Sequence, residues 1–282
     1  MFSRRSFLQT LAAVSLPPAL AAAARRRGAT GTRLPHIGLQ LYTVRDAMQR
    51  DLPGTLARVA AIGYDEVEFA GYFDHPPDRI RRVLDELHLR APGAHVALEA
   101  LEGRERARTV DAALAIGHEW LVVPWLDADV RQTADDYRRV ADRLNAAGRA
   151  LRERGLRVAY HNHDFELTPV DGARGLDVLL ESTDPALVDF EMDIYWVVKG
   201  GGDPLDFFHR HRGRFAMVHV KDATAAPARE MMDVGSGVID FARIFAHDEE
   251  GGVRHWFVEH DAPANPFASI RRSYEFLRRL DF

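Results

Sequence analysis

From Pro35 onward, short apolar runs alternate with stretches whose apolar residues recur at helical spacing. Ile37–Thr43 predicts a first strand, and Pro53–Ile62 a helix that stops at Gly63. Glu66–Ala70 and Pro77–Leu89 form the next strand and helix. Pro92–Leu98 with Arg104–Ile116, and Trp120–Trp125 with Ala134–Arg154, repeat the unit. Leu156–His163 is a fifth strand before a short helix at Leu176–Ser182, and Leu187–Met192 a sixth before Pro204–Arg210. Phe215–Val220 precedes a helix near Phe241–Ala246, and Val253–Val258 precedes the closing helix Ala268–Leu280. Eight strands, each followed by a helix, predict a single-domain (β/α)8 TIM barrel over 35–282. An open doubly wound sheet would announce itself with a Gly-rich phosphate turn after the first strand, and IGLQLYTVRD has none.

A barrel gathers the C-terminal ends of its strands on one face. The polar residues at those ends are Gln40, Glu68, His95, Trp125, His161, His163, Asp193, His219 and Glu259. A buried parallel strand is otherwise apolar, so charge confined to its end has to be paired or coordinated. Asp193, His219 and Glu259, from three successive strands, have the chemistry of a divalent-metal site. In YHNHDFEL, alternation puts His161 and His163 on one face. Either completes the metal sphere, leaving the other for substrate. Lys221 shares the inward face of His219, where an ammonium stabilises developing negative charge. Trp125, Trp196 and Tyr42 can stack on the apolar face of a bound ring. Glu166 and Arg45 stand nearby with structural roles expected. HExxH zinc spacing is absent.

The N-terminus changes the picture of where the protein works. Ser3-Arg4-Arg5-Ser6-Phe7-Leu8 is a twin-arginine pattern, followed by an apolar stretch and the small residues Ala21–Ala24. Residues 1–27 are expected to be a signal peptide read by the twin-arginine export machinery, delivering the protein to the periplasm. Pro17 and Pro18 in a short apolar run argue against a stable membrane span. The net charge of -5 argues against a nucleic-acid partner, and losing residues 1–27, with five Arg and no acid, makes the chain more acidic still. With no cysteine there is neither a disulfide framework nor a thiolate metal site.

Six segments together resemble the xylose isomerase-like TIM-barrel superfamily, in particular its sugar phosphate isomerase/epimerase branch. They are IGLQLYTVRD (37–46), YDEVEFAGY (64–72), YHNHDFEL (160–167), DIYWVVKGGGDP (193–204), HVKD (219–222) and VEHD (258–261). The resemblance implies one divalent metal, manganese first, with cobalt, zinc or magnesium as alternatives. Its usual ligands are Glu, Asp, His and Glu from strands five to eight. The last three fall on Asp193, His219 and Glu259, whereas the first falls on His161. Inosose dehydratase-like members similarly carry a His-x-His there.

The resemblance implies metal-dependent isomerisation or epimerisation of a free sugar or keto-sugar, by proton abstraction next to a carbonyl. Glu259 is the expected base, with His163 and Lys221 assisting. Gln40, Glu68, His95, Trp125 and Trp196 are the expected substrate contacts. Because one carboxylate of the epimerase pair is replaced by His161, lyase or dehydratase chemistry on a keto-sugar or inosose is the alternative. A non-catalytic periplasmic sugar-binding protein on the same scaffold is a third reading, and loss of a ligand would be its mark. A nuclease of the endonuclease IV type would need more metal-binding residues and a basic face.

Overall fold

The computed structural model describes residues 31–282, and residues 33–282 form one compact unit. The signal peptide expected at 1–27 lies outside the described residues. Eight parallel strands close into a barrel: β1 (Gly38–Gln40), β2 (Glu66–Phe69), β3 (Arg90–His95), β4 (Trp120–Val123), β5 (Arg157–His161), β6 (Val188–Asp193), β7 (Phe215–Val220) and β8 (His255–Val258). Each strand pairs with the next in sequence, and β8 returns to β1 through Gly38 beside Phe257. This is the (β/α)8 barrel that the alternating pattern predicts. Among the described residues no helix is long and apolar enough to cross a membrane.

The outer helices include Leu52–Ile62, Pro77–Leu87, Glu105–Ile116, Ala134–Arg152 and Pro266–Leu277. Their starts are written in the sequence. Thr133 and Asp136 form a reciprocal capping box, and Asn265 caps the last helix just before Pro266. One apolar core fills the space between strands and helices. A second, smaller cluster, including Trp120, Met217 and Phe257, packs separately from it. Phe257 needs Gly38 beside it, because a Cβ there would fall 2.3 Å from the ring. At the N-terminal end, Glu66 holds His255 and Arg90, while Asp189 accepts from the Trp120 indole at 2.7 Å and binds Arg157. Those charges are paired with one another, as burial requires.

Element ends differ from the expectation where side chains bond to nearby backbone. β1 stops at Gln40 instead of Thr43, because the Gln40 side-chain oxygen accepts the Tyr42 N–H at 3.1 Å and opens a 3-10 turn over Leu41–Val44. β5 stops at His161 instead of His163, and the His163 N–H turns to the Glu166 carboxylate at 2.8 Å. Asp193 ends β6 and caps a helix over Ile194–Lys199, its Oδ1 accepting the Trp196 N–H at 2.9 Å. Each departure falls on the rim that carries the site.

Candidate active site

A cavity of about 680 Å³ opens at the C-terminal ends of the strands. Of the residues expected there, His95, Trp125, His161, His163, Trp196, Lys221 and Glu259 line it. Asp193 and His219 are wholly buried and do not line it. The two remaining expected substrate contacts are placed differently. Gln40 and Glu68 are also wholly buried and absent from the cavity wall, the Gln40 amide donating to Glu68 Oε2 at 2.7 Å. Gln40 and Glu68 Oε2 serve other protein groups, whereas Glu68 Oε1 has no hydrogen-bond partner among the described residues. Glu68 occupies room left by Gly93, where a Cβ would lie 2.8 Å from its Oε1.

Two donor clusters share His219. The inner one joins His95, His161, Glu191 and His219, and the outer one Asp193, His219 and Glu259. In each, one ligand atom per residue lies within 4.8 Å of the others. Glu191 Oε2 stands 3.1 Å from His95 Nε2, 3.0 Å from His161 Nδ1 and 3.1 Å from His219 Nε2. Glu68 Oε2 adds a contact of 2.8 Å to His219 Nε2 and 3.3 Å to His95 Nε2. The opposite nitrogen of His219, Nδ1, faces Glu259 Oε2 at 2.8 Å. His161 Nε2 reaches Asp193 Oδ2 at 3.8 Å, so β5 does approach the outer cluster as well.

Three carboxylates surround Lys221. Its Nζ is 2.6 Å from Glu259 Oε2, 2.7 Å from Asp261 Oδ1 and 3.0 Å from Asp193 Oδ2. Burial disfavours the ammonium, but these three acids outweigh it and hold the Lys221 pKa well above its ordinary value. Burial likewise pushes the Glu259 pKa up, and Lys221 and His219 more than reverse this, leaving it well below the carboxylate range. Asp193 goes the other way, up to about 6, because burial wins over Lys221 and His219. The neighbouring Asp222 does not reach the cation. Its carboxylate accepts the N–H groups of Ala223, Gly235, Gly237 and Ile239, and so fixes the loop after β7.

The opposite wall is aromatic. The His163 ring stacks on Phe165 and meets Trp125 edge-on, with Trp196 tilted at 5.4 Å. Burial, with His161 and Lys221 nearby, drives the His163 pKa down to about 2, so the ring is neutral. Glu166 is structural: it is buried and accepts from the Tyr160 hydroxyl and the His163 backbone. Arg45 is structural too, donating to the Tyr42 and Asp261 carbonyls.

A family model described as the xylose isomerase-like TIM barrel matches residues 56–280. The chain belongs to the xylose isomerase-like TIM-barrel family. Within it, the chain is 32% identical over 170 residues to an inosose dehydratase from Geobacillus kaustophilus, an alignment covering 53% of this chain and 54% of that protein. It is 29% identical over 254 residues to an inosose dehydratase from Lacticaseibacillus casei, covering 76% of this chain and 85% of that one. The chain thus spans only about half the length of the first relative and most of the second. Among solved structures, a sugar phosphate isomerase/epimerase from Parabacteroides distasonis superposes with a TM-score of 0.75 at 25% identity, covering 86% of this chain and 98% of that one.

Against the family pattern, the residue that sequence reasoning missed is Glu191. It is wholly buried, and its Oε1 has no hydrogen-bond partner among the described residues. The signal was present in FEMD, where alternation puts Glu191 and Asp193 on one face of β6. Asn162 was also missed. Its side-chain oxygen accepts the Asp193 N–H at 3.1 Å, tying the end of β6 to β5.

Proposed function

We propose that this protein is a metal-dependent lyase that removes a proton next to the carbonyl of an unphosphorylated keto-sugar or inosose and expels water. The observation that carries this reading is the Glu259 carboxylate, buried yet lining the cavity, beside a nest of imidazole and carboxylate donors. The names of the dehydratase relatives support it, as does imidazole instead of carboxylate at position 161.

The donor set fits a divalent cation. Glu68 Oε1, Glu191 Oε1 and Asp193 Oδ2 are buried without hydrogen-bond partners among the described residues, and mixed imidazole and carboxylate donors suit manganese, cobalt or zinc better than magnesium. The residues that would hold it come from His161, Glu191, Asp193, His219 and Glu259. When bound, such an ion acts as a Lewis acid that polarises the substrate carbonyl. Glu259 takes the carbon-bound proton at Oε1, since Lys221 and His219 engage Oε2. The same carboxyl returns that proton to the departing hydroxyl, so one base yields an unsaturated ketone and water. The Lys221 ammonium, 2.6 Å from Glu259, offsets the negative charge that develops on the substrate. Neutral His163 accepts a hydrogen bond from a sugar hydroxyl, and Trp125 and Trp196 supply apolar surface.

Isomerisation or epimerisation keeps one observation in its favour: Asp164 also lines the cavity, so a carboxylate reaches it from the β5 side. Incubation with a panel of free keto-sugars and inososes in deuterated water separates the readings. Elimination gives an unsaturated ketone and water. Isomerisation gives a product of unchanged mass apart from exchanged hydrogen. Absence of both an unsaturated product and any carbon–hydrogen exchange sinks both. The twin-arginine pattern at residues 3–8 supports export to the periplasm, tested by whether replacing Arg4 and Arg5 with Lys retains the protein inside the cell.

A further inference from the structure

We infer that the rim of the cavity, at Tyr42 and Trp125, is a binding site for a second sugar ring, and that this ring is the leaving group of the elimination. The substrate is then a keto-disaccharide whose ketone lies two carbons from the anomeric carbon. This rests on the lyase reading above and goes further, because there the leaving group is only water.

Room and surface carry the inference. A single sugar ring has about the bulk of six liquid waters, at about 30 Å³ each, so it fills about a quarter of the 680 Å³ cavity. The rest is bordered by aromatic rings. Among the described residues four large hydrophobic side chains are exposed, and two of them, Tyr42 at 42% and Trp125 at 50%, stand on this one wall. Both are braced. The Arg45 guanidinium lies 4.1 Å over the Tyr42 ring and donates to the Tyr42 and Asp261 carbonyls. His163 and Phe165 meet Trp125 edge-on, and Arg131 lies 5.3 Å from its ring. Tyr42 follows β1 and Trp125 follows β4, with β2 and β3 between, so the two rings stand at separate points of the mouth. Braced aromatic faces left open to water there match the apolar face of a sugar.

Charge decides which second group fits. Lys221 is the one Lys or Arg in the wall, and three carboxylates already surround it. Asp164 adds a further negative charge, which repels a phosphate or a carboxylate. An uncharged polyhydroxylated ring meets neither obstacle.

The step balances. Glu259 Oε1 takes the proton from the carbon between the ketone and the anomeric carbon. The electron pair of that C–H bond becomes the new carbon–carbon double bond, the anomeric C–O bond breaks, and the departing sugar oxygen takes up the proton. The products are an unsaturated cyclic ketone and a free sugar, and no oxidant, reductant or water is consumed.

The test uses the full chain loaded with Mn2+ and three substrates. These are a disaccharide with a ketone at C3 of its non-reducing ring, the methyl glycoside of the same keto-sugar, and a free inosose, with products followed by NMR. The disaccharide is expected to be cleaved with kcat/KM at least about tenfold above the methyl glycoside. Tyr42→Ala and Trp125→Ala should each cut that ratio about three- to tenfold, and Trp125→Phe should largely keep it. The dependence on these two rings separates contact with the second sugar from the acidity of the leaving group, and a merely misfolded variant would lose both substrates together. If the disaccharide and the methyl glycoside react alike, if the ratio ignores both substitutions, or if only the inosose is converted, the inference fails and the lyase reading stands. If none of the three yields an unsaturated ketone, the lyase reading fails as well.

Discussion

Lys221→Met keeps the length of the side chain and removes its ammonium, leaving Asp193 and Glu259 buried, with only His219 beside Glu259 to answer their charge. Removing one partner of a buried ion pair costs about 3–5 kcal/mol. Asp261, a third exposed, adds little because water reaches it. At roughly 2–4 °C per kcal/mol for a domain of this size, the melting temperature in chelator should fall by about 6–20 °C.

The loss should also depend on pH. The freed carboxylates, Asp193 first since burial already lifts it to about 6, can take up protons in the folded variant. The folded variant then binds more protons than the unfolded chain, so its deficit shrinks at pH 5.5 and widens at pH 8. Adding Glu259→Gln to the variant should restore part of the stability, with a coupling of about 1 kcal/mol or more. Urea melts at both pH values measure all of this. A variant within 1 kcal/mol of wild type, or a deficit indifferent to pH, would refute the picture of Lys221 as the cation that answers Asp193 and Glu259.

Three further outcomes are expected. Burial lifts the Asp248 carboxyl to about 8 despite its hydrogen bond from the Trp256 indole, so the folded state keeps a proton that the unfolded chain releases above about pH 4. Stability should therefore fall as pH rises from about 4 to 8, by up to about 1.4 kcal/mol per pH unit, and Asp248→Asn should remove that component; an unchanged slope in urea melts contradicts it. Gly93→Ala drives a Cβ against Glu68 Oε1 and should weaken metal binding about 10–100-fold with the fold retained by circular dichroism, while unchanged affinity would leave Glu68 without a supporting role. Trp125→Ala, at a half-exposed position on the cavity wall, should raise KM about 5–10-fold and move the melting temperature by less than about 2 °C; steady-state kinetics showing no change in KM would remove Trp125 from the substrate's path.

The barrel is legible in the sequence because its cause is local. Apolar runs of strand length must be buried on both faces, and the intervening helical stretches supply the cover. Asp193, His219, Glu259 and His161 are likewise legible as inward-facing chemistry, since a charged or imidazole group at the end of an apolar strand needs a partner. Where the strands end is less legible. Gln40, Asp193 and Glu166 each bond to backbone a few residues away, and those short bonds stop a strand or start a turn that the apolar pattern alone would continue.

What the sequence alone determined is which residues face the barrel axis, because side-chain alternation is a property of a single strand. What only the tertiary structure decided is which of them meet. Gln40 and Glu68 lie beneath the cavity, not in its wall, while His95 and Glu191, from strands three and six, close on His219 from strand seven. Lys221 stands among three acids from two strand ends, Asp193 closing β6 and Glu259 and Asp261 just past β8. The depth of a residue below the rim follows from strand tilt and stagger around the closed barrel, and no stretch of chain read by itself contains that geometry.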